Sequence, residues 1–267
     1  MAVFADTHTH LYLDAFDEDR DEAIKRTLDA GVTYLFLPNI DASTILQLRS
    51  LTDAYPGQIF GMMGLHPTSV KHDYREQMGM IEMELKQNRG RYCAIGEIGI
   101  DLYWDKTYQQ EQETVFRRQL DLAVDHGLPV VIHTRNSFEI AIRIIEEKNN
   151  PRLKGIFHCF GGSIEQALKA VELGFILGIG GIITYKNSGL QKVVEVVGLD
   201  HMVLETDAPF LPPVPHRGER NESSYIPFIA KKIAEIKKTD VNEVAEITTK
   251  NALTLFGIRD WGLGTGD

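Results

Sequence analysis

Near the start of the chain two histidines stand one residue apart, in Asp6-Thr7-His8-Thr9-His10. They follow a short apolar run, Ala2 to Ala5, that reads as a buried strand. Side chains on a strand alternate between faces, so His8 and His10 project to the same side. Two imidazoles on one face at a strand end make half of a metal site. A structural zinc module would add paired cysteines, and the only cysteines here are Cys93 and Cys159, without CxxC spacing. Further candidates stand at the ends of other apolar runs: Glu97 after Ala94-Ile95-Gly96, His133 after Val131-Ile132, His158 after Ile156-Phe157, and Asp207 after Leu204-Glu205-Thr206. Each has a plain structural reading on its own. His158 fits a hydrogen-bonded strand end, Asp207 a turn former before Pro209, and Glu97 an exposed loop residue between glycines. Polar groups capping buried strands are costly unless paired or coordinated. Together, four histidines and two carboxylates at equivalent strand ends suit one or two divalent ions.

The elements that must position these groups follow a regular rhythm. Apolar, β-branched runs occur at Val3 to Ala5, Val32 to Leu37, Ile59 to Leu65, Tyr92 to Ile95, Val130 to Ile132, Gly155 to Phe157, Phe175 to Ile179 and Met202 to Leu204. Each is apolar on both faces, as strands covered on both sides are. Helical periodicity fills the intervals. Asp17 opens a stretch with Ala23, Ile24, Thr27 and Leu28 on one face, closed by Gly31. Another runs through Phe116, Leu120, Ala123 and Val124 to Gly127. Ser163 caps a third, with the stripe Ile164, Ala167, Leu168 and Val171 and a stop at Gly174. Strand and helix alternating eight times predict an α/β fold, a (β/α)8 TIM barrel forming a single domain over 1–267. A proline-rich loop, Pro209 to Pro215, then leads to C-terminal helices over Ile226 to Ile236 and Val241 to Phe256, with a frayed tail over 262–267. A doubly wound sheet would carry a glycine-rich turn where this chain has its histidines. A barrel gathers the C-terminal ends of all its strands around one mouth.

Composition narrows the partners. The 267 residues carry a net charge of -10, which argues against broad electrostatic attachment to nucleic acid or anionic membrane. A polyanionic substrate would be held locally. Two cysteines argue against a disulfide framework and fit a reducing compartment. The start lacks a basic segment followed by an apolar one, and no apolar run approaches the roughly 18 residues of a membrane span. The expectation is a soluble, cytoplasmic protein. Among the remaining histidines, His126 stands at a helix C-terminus, and His72 and His201 read as loop residues. His66, in Gly64-Leu65-His66-Pro67, ends the third strand at the same rim, where it either touches substrate or merely closes the strand. Cys159 beside His158 raises a thiol nucleophile with a histidine base, but alternation predicts that Cys159 faces away from the mouth.

With these residues in place, the chain resembles the TatD family of metal-dependent deoxyribonucleases, within the amidohydrolase-like barrel superfamily. The resemblance spans essentially the whole chain. It rests on Asp6-Thr7-His8-Thr9-His10, Gly64-Leu65-His66-Pro67, Gly96-Glu97-Ile98-Gly99-Ile100-Asp101, Pro129-Val130-Val131-Ile132-His133, Phe157-His158-Cys159-Phe160-Gly161-Gly162 and Glu205-Thr206-Asp207-Ala208-Pro209. It implies a two-metal phosphodiesterase. His8, His10, Glu97 and Asp207 would hold one divalent ion and Glu97, His133 and His158 a second, with Glu97 bridging and the ions being magnesium, manganese or zinc. Related barrels bridge their metals with a carbamylated lysine at the end of strand four, where this chain has Glu97. The family's Arg-x-x-Arg-Asn-Glu-Pro pattern appears as Arg217-Gly218-Glu219-Arg220-Asn221-Glu222-Ser223, with serine replacing the final proline. Arg217, Arg220 and Asn221, with His66, are thereby candidate substrate contacts; the plain alternative for the arginines is solvated surface charge, but their position beyond the eighth strand, at the mouth, favours phosphate contact.

The implied chemistry is hydrolysis of DNA by a metal-activated water, with Asp207 and Glu97 as the catalytic carboxylates and Asp207 accepting the water's proton. An acidic chain contacts few phosphates. That fits a 3′–5′ exonuclease acting on short single-stranded or frayed ends, with a shallow salt dependence, in a monomer that binds no membrane. Tyr103, Trp104 and Tyr185 are candidates for base stacking or for ordinary packing. Two rivals stand beside this. One is a barrel hydrolase cutting a C–N or ester bond of a small metabolite with the same metals. The other is a non-enzymatic metal-binding scaffold.

Overall fold

The computed structural model describes residues 2–258, and the tail expected over 262–267 lies outside them. Eight parallel strands pair in sequence order: β1 (Phe4–Asp6), β2 (Val32–Pro38), β3 (Ile59–Met62), β4 (Tyr92–Asp101), β5 (Val130–Arg135), β6 (Gly155–Phe157), β7 (Phe175–Ile179) and β8 (Met202–Leu204). The helices are α1 (Arg20–Asp29), α2 (Ile45–Ala54), α3 (Tyr74–Gln87), α4 (Gln109–His126), α5 (Phe138–Lys148), α6 (Ile164–Glu172), α7 (Leu190–Val196), α8 (Ile226–Lys237) and α9 (Val241–Phe256). This is the expected (β/α)8 barrel with its additional C-terminal helix. No helix among the described residues is long and apolar enough to cross a membrane.

Backbone hydrogen bonds beyond the strand ends join the last strand to the first. The Thr7 N–H donates to Leu204 O at 3.0 Å, the Asp207 N–H to His8 O at 2.8 Å and the His10 N–H to Ala208 O at 2.8 Å. Buried Asp6 reinforces this seam by accepting from the Thr206 N–H at 2.9 Å and the Thr206 hydroxyl at 2.5 Å. Burial pushes the Asp6 carboxyl up to about 7, against the lowering effect of those hydrogen bonds. Alternate residues of the strands then fill two separate volumes. Leu35, Leu37, Ile95, Ile132 and Leu204 pack outward against the helices. Ala5, Phe36, Met62, Val131 and Val203 pack inward, and α9 plugs the N-terminal end with Phe256 stacked 4.3 Å from the Phe36 ring. The interior is therefore solid, and open space is left at the C-terminal mouth.

Several elements depart from the sequence expectation. β4 runs to Asp101 rather than ending at Ile95, because a register shift between Ile95 and Ile98 lets it keep pairing with β5. Glu97 consequently lies within a strand at 2% exposure and is not an exposed loop residue. β5 extends with it, pairing His133 with Gly99 and Arg135 with Asp101. β3 stops at Met62, three residues early, where the buried Asn39 side chain takes over by donating to Gly64 O at 2.9 Å. α1 begins at Arg20, after a short turn over Asp14–Phe16. Ser163 caps α6 through a reciprocal pair with Gln166, as its sequence predicts. Leu168, expected on the buried stripe of α6, is exposed, because the helix rests on its small Ala167 and Ala170 face.

The loop after β8 is tied down by an ionic clamp. Arg220 donates to both Asp19 oxygens at 2.6 and 2.9 Å and to Glu222 at 2.8 Å, and Arg26 binds Glu222 at 2.8 and 2.9 Å. The Arg220 and Arg26 hydrogen bonds hold Asp19 below its ordinary value. Burial acts to raise Glu222, but the two guanidiniums outweigh it and lower it as well. Both carboxylates are depressed in the folded state, so the clamp contributes fully above their unfolded values of 3.8 and 4.5 and is lost as pH falls through and below them. The melting temperature should therefore drop more steeply in the wild type than in Glu222→Gln between about pH 5 and about pH 3, as followed by circular dichroism. Equal slopes would show that the clamp carries no stability.

Candidate metal centre

His8 and His10 sit just past β1, Glu97 in β4, His133 in β5, His158 just past β6 and Asp207 just past β8. The barrel brings all six to one place. The Nε2 atoms of His8 and His10 lie 3.3 Å apart. They stand 3.0 and 3.7 Å from Glu97 Oε2, and 3.7 and 3.6 Å from Asp207 Oδ1. Donor atoms arranged tetrahedrally about an ion at 2.0–2.1 Å stand roughly 3.4 Å apart, close to this spacing. The other oxygen of Glu97, Oε1, faces the opposite group: His133 Nδ1 at 2.9 Å, His158 Nε2 at 3.3 Å and His66 Nε2 at 3.3 Å.

Hydrogen bonds behind the rings fix which nitrogens offer lone pairs. The Tyr12 hydroxyl donates its proton to Pro38 O at 2.6 Å, so His10 Nδ1, 3.2 Å away, is the donor to Tyr12 and its Nε2 lone pair points into the cluster. His133 Nε2 lies 3.0 Å from the Asp101 carboxylate, an acceptor, which turns an Nδ1 lone pair toward Glu97. Lone pairs aimed at a carboxylate are tolerable only with a proton or a cation between them. His66 differs. Its Nδ1 accepts from the Thr68 N–H at 3.2 Å, so the neutral ring presents Nε2–H to Glu97 and acts as a hydrogen-bond donor.

Electrostatics agree with a centre built for positive charge. Burial acts to raise Glu97, but His66, His8 and His158 hold it well below its ordinary value. Burial likewise acts on Asp207 and is outweighed by the His10 hydrogen bond and by His158 and His8. His8 and His66 are pulled down, chiefly by burial. Burial also acts to lower His133 and His158, but Asp101 and Glu97 raise the first, and Glu205 and Glu97 push the second up to about 10. Three buried atoms in this cluster, His8 Nδ1, His158 Nδ1 and Glu205 Oε2, have no hydrogen-bond partner among the described residues. Ionised carboxylates, converging lone pairs and unmet buried atoms together fit a divalent metal site.

A cavity of about 620 Å³ opens over the cluster, lined by His10, His66, Glu97, His133, His158 and Asp207 among others. Cys159 also lines it, contrary to the strand alternation that predicted it to face away. Its φ of 46° breaks the alternation, as its N–H turns to donate to Glu205 Oε1 at 2.5 Å. Burial, with Asp207 and Glu205, pushes the thiol well above its ordinary value, so it is no thiolate nucleophile. Arg220 and Asn221, expected at the substrate, do not line the cavity. Arg220 is consumed by the clamp, and Asn221 is fully buried, donating to Thr206 O at 2.7 Å and Phe210 O at 2.5 Å. Arg217 lies over the Tyr185 ring at 4.5 Å, also outside the lining.

Two residues behind the ligands escape the sequence reading. Glu205 is fully buried, 3.2 Å from His158 Nδ1, and so tight against β7 that a Cβ on Gly178 would meet Glu205 Oε2 at 2.2 Å. Asp101 orients His133 and accepts the Tyr103 N–H at 2.9 Å. The signal was present in both cases as a carboxylate directly ending an apolar strand.

A closed parallel barrel with imidazoles and carboxylates gathered at its mouth is the architecture of the metal-dependent hydrolases. The chain belongs to one family of them, described as TatD related DNase, whose pattern matches residues 5–257. It is 38% identical over 254 residues to the uncharacterized metal-dependent hydrolase YabD of Bacillus subtilis, covering 95% of this chain and 98% of that one. The crystal structure of the TatD homologue YjjV from Escherichia coli superposes with a TM-score of 0.90 at 29% identity, covering 96% of this chain and 98% of that one. A TatD family hydrolase from Entamoeba histolytica shares the fold, with a TM-score of 0.85 at 21% identity over 96% and 98% of the two chains.

Two substitutions probe the support behind the ligands. Gly99 has a φ of 140°, and a Cβ there would lie 2.1 Å from His133 O. Gly99→Ala should cost about 2 kcal/mol or more of stability, read from denaturant unfolding. Glu205→Gln should weaken divalent-ion binding about 10- to 100-fold by titration calorimetry, and unaltered affinity would remove Glu205 from the centre.

Proposed function

We propose that this protein is a two-metal phosphodiesterase that trims DNA from single-stranded or frayed ends in the 3′–5′ direction. The observation that carries the reading is the division of Glu97: Oε2 faces His8 and His10, the pair that Asp207 Oδ1 also approaches, while Oε1 faces His133 and His158. A carboxylate with one oxygen on each of two donor groups is suited to bridge two ions. His8, His10, Glu97 and Asp207 would hold the first, and Glu97, His133 and His158 the second. Bound magnesium, manganese or zinc ions supply Lewis acidity, which lowers the pKa of water and neutralises a phosphodiester.

The chain's own groups do the rest. Asp207 is held ionised among imidazoles and is the more accessible carboxylate, its side chain 17% exposed against 3% for Glu97. It is placed to accept the proton of the attacking water. His66, with Nε2–H directed at Glu97 Oε1, keeps the bridging carboxylate oriented and presents its ring edge to the cavity. Family membership supports a nucleic-acid substrate, and the net charge of -10 supports a small footprint on it.

Metal-stripped protein resupplied with each ion should bind two ions per chain and shorten 3′-labelled and 5′-labelled single strands with the opposite end patterns of a 3′–5′ enzyme. Cyclic amides and lactones assayed in parallel should remain intact. Glu97→Gln and Asp207→Asn should each lower the hydrolysis rate by about 100-fold or more with the fold retained by circular dichroism. Activity at the wild-type level in both variants would overturn the mechanism, and turnover of the amides alone would overturn the substrate.

A further inference from the structure

The metal cluster accounts for the floor of the cavity but not for its wall beside β4 and β5. Tyr103 and Trp104 follow closely on β4 and are 53% and 72% exposed. Arg135, the last residue of β5, lays its guanidinium 3.8 Å from the Tyr103 ring centroid and 5.2 Å from that of Trp104. The strand register explains the meeting: Asp101 pairs with Arg135, and the Leu102 N–H donates to Arg135 O at 2.9 Å, so both loops leave the barrel together. Trp104 and Arg135 line the same cavity as the metal-binding groups. Arg135, with Thr134 and Cys159, also borders a second groove of about 410 Å³ that passes over the start of α5 and the Phe160-Gly161-Gly162 turn.

Two features mark this corner as a binding surface. The first is a cation without a carboxylate partner in an acidic protein. Among the described residues no carboxylate lies within ion-pair distance of Arg135. The neighbouring acids are engaged, Asp101 by His133 at 3.0 Å and Asp105 by Lys71 at 3.7 Å. Arg220 and Arg26, by contrast, are bound by Asp19 and Glu222. The second is a tryptophan left in water at the lip of the centre, braced edge-on by Tyr103 at 4.8 Å. Exposed indole beside a guanidinium that no carboxylate neutralises is the pairing that stacks a base and takes its phosphate.

We propose that Trp104 and Arg135 form a nucleotide subsite next to the metal cluster, with one base stacked on the indole and the adjoining, non-scissile phosphate on the guanidinium. This rests on the phosphodiesterase reading and extends it to a substrate class: a single strand with at least one nucleotide beyond the cleaved linkage. A paired duplex withholds the base face that Trp104 would cover.

The test combines binding with turnover. A fluorescently labelled phosphorothioate trinucleotide is titrated into the metal-free wild type, Trp104→Ala, Trp104→Phe and Arg135→Gln. Trp104→Ala should weaken binding at least about fivefold, Trp104→Phe should recover most of it, and Arg135→Gln should flatten the salt dependence by about one phosphate. With metal restored, the defect of Trp104→Ala in kcat/KM should be at least about fivefold larger on a trinucleotide than on bis(p-nitrophenyl) phosphate, which has no neighbouring base. Equal binding by wild type and Trp104→Ala, or no binding by wild type, overturns the subsite. Binding that depends on Trp104 and Arg135, together with no hydrolysis of any phosphodiester, upholds the subsite and overturns the hydrolytic reading instead.

Discussion

A carboxylate buried to 2% exposure must have positive charge brought to it, and Glu97 imposes that requirement on the whole mouth of the barrel. Imidazoles from four other strand ends answer it, and three are held by hydrogen bonds of their own, with Tyr12 behind His10, Asp101 behind His133 and Thr68 behind His66, while Glu205 lies 3.2 Å from His158 Nδ1. Orientation is thereby settled before any ion arrives. Rings held in this way cannot swing to relieve the crowding of lone pairs, and a fixed arrangement is what a divalent ion requires of its ligands.

The barrel makes such crowding affordable by removing choice from the backbone. With Phe256 and the inward side chains filling the lower interior, the strands cannot collapse toward the mouth. At the seam, Asp6 ties the start of the chain to Thr206, and the same few residues carry His8, His10 and Asp207. The loop beyond β8 reaches its place through Arg220 and Asn221, whose bonds run to Asp19, Glu222 and the carbonyls around Asp207. These residues shape the site without lining it.

Much of this was legible in the sequence for physical reasons. β6, β7 and β8 coincide with their apolar runs because strands covered on both faces leave an uninterrupted signal. The six metal-binding candidates stood out because a barrel converts position at a strand end into proximity. Legibility failed where local rules gave way to long-range ones. Gly96, Glu97 and Gly99 disguised the second half of β4, whose pairing with β5 outweighs its poor strand composition. Cys159 escaped the alternation rule through a left-handed backbone. Glu205 was passed over because a bare carboxylate after a strand reads as solvated until its imidazole partner is seen. Arg220 could not be assigned from its neighbours, since its partner Asp19 lies 201 positions away.

The seam between the two ends of the barrel also sets the order in which the protein can mature. The histidine pair is made about 200 residues before the aspartate that completes its donor group, the separation that Asp6 and Thr206 span. At roughly 5–20 residues per second, that interval is on the order of 10 to 40 s. Glu97, His133 and His158 are all made within that interval, so the group of His8, His10 and Glu97 waits only for Asp207.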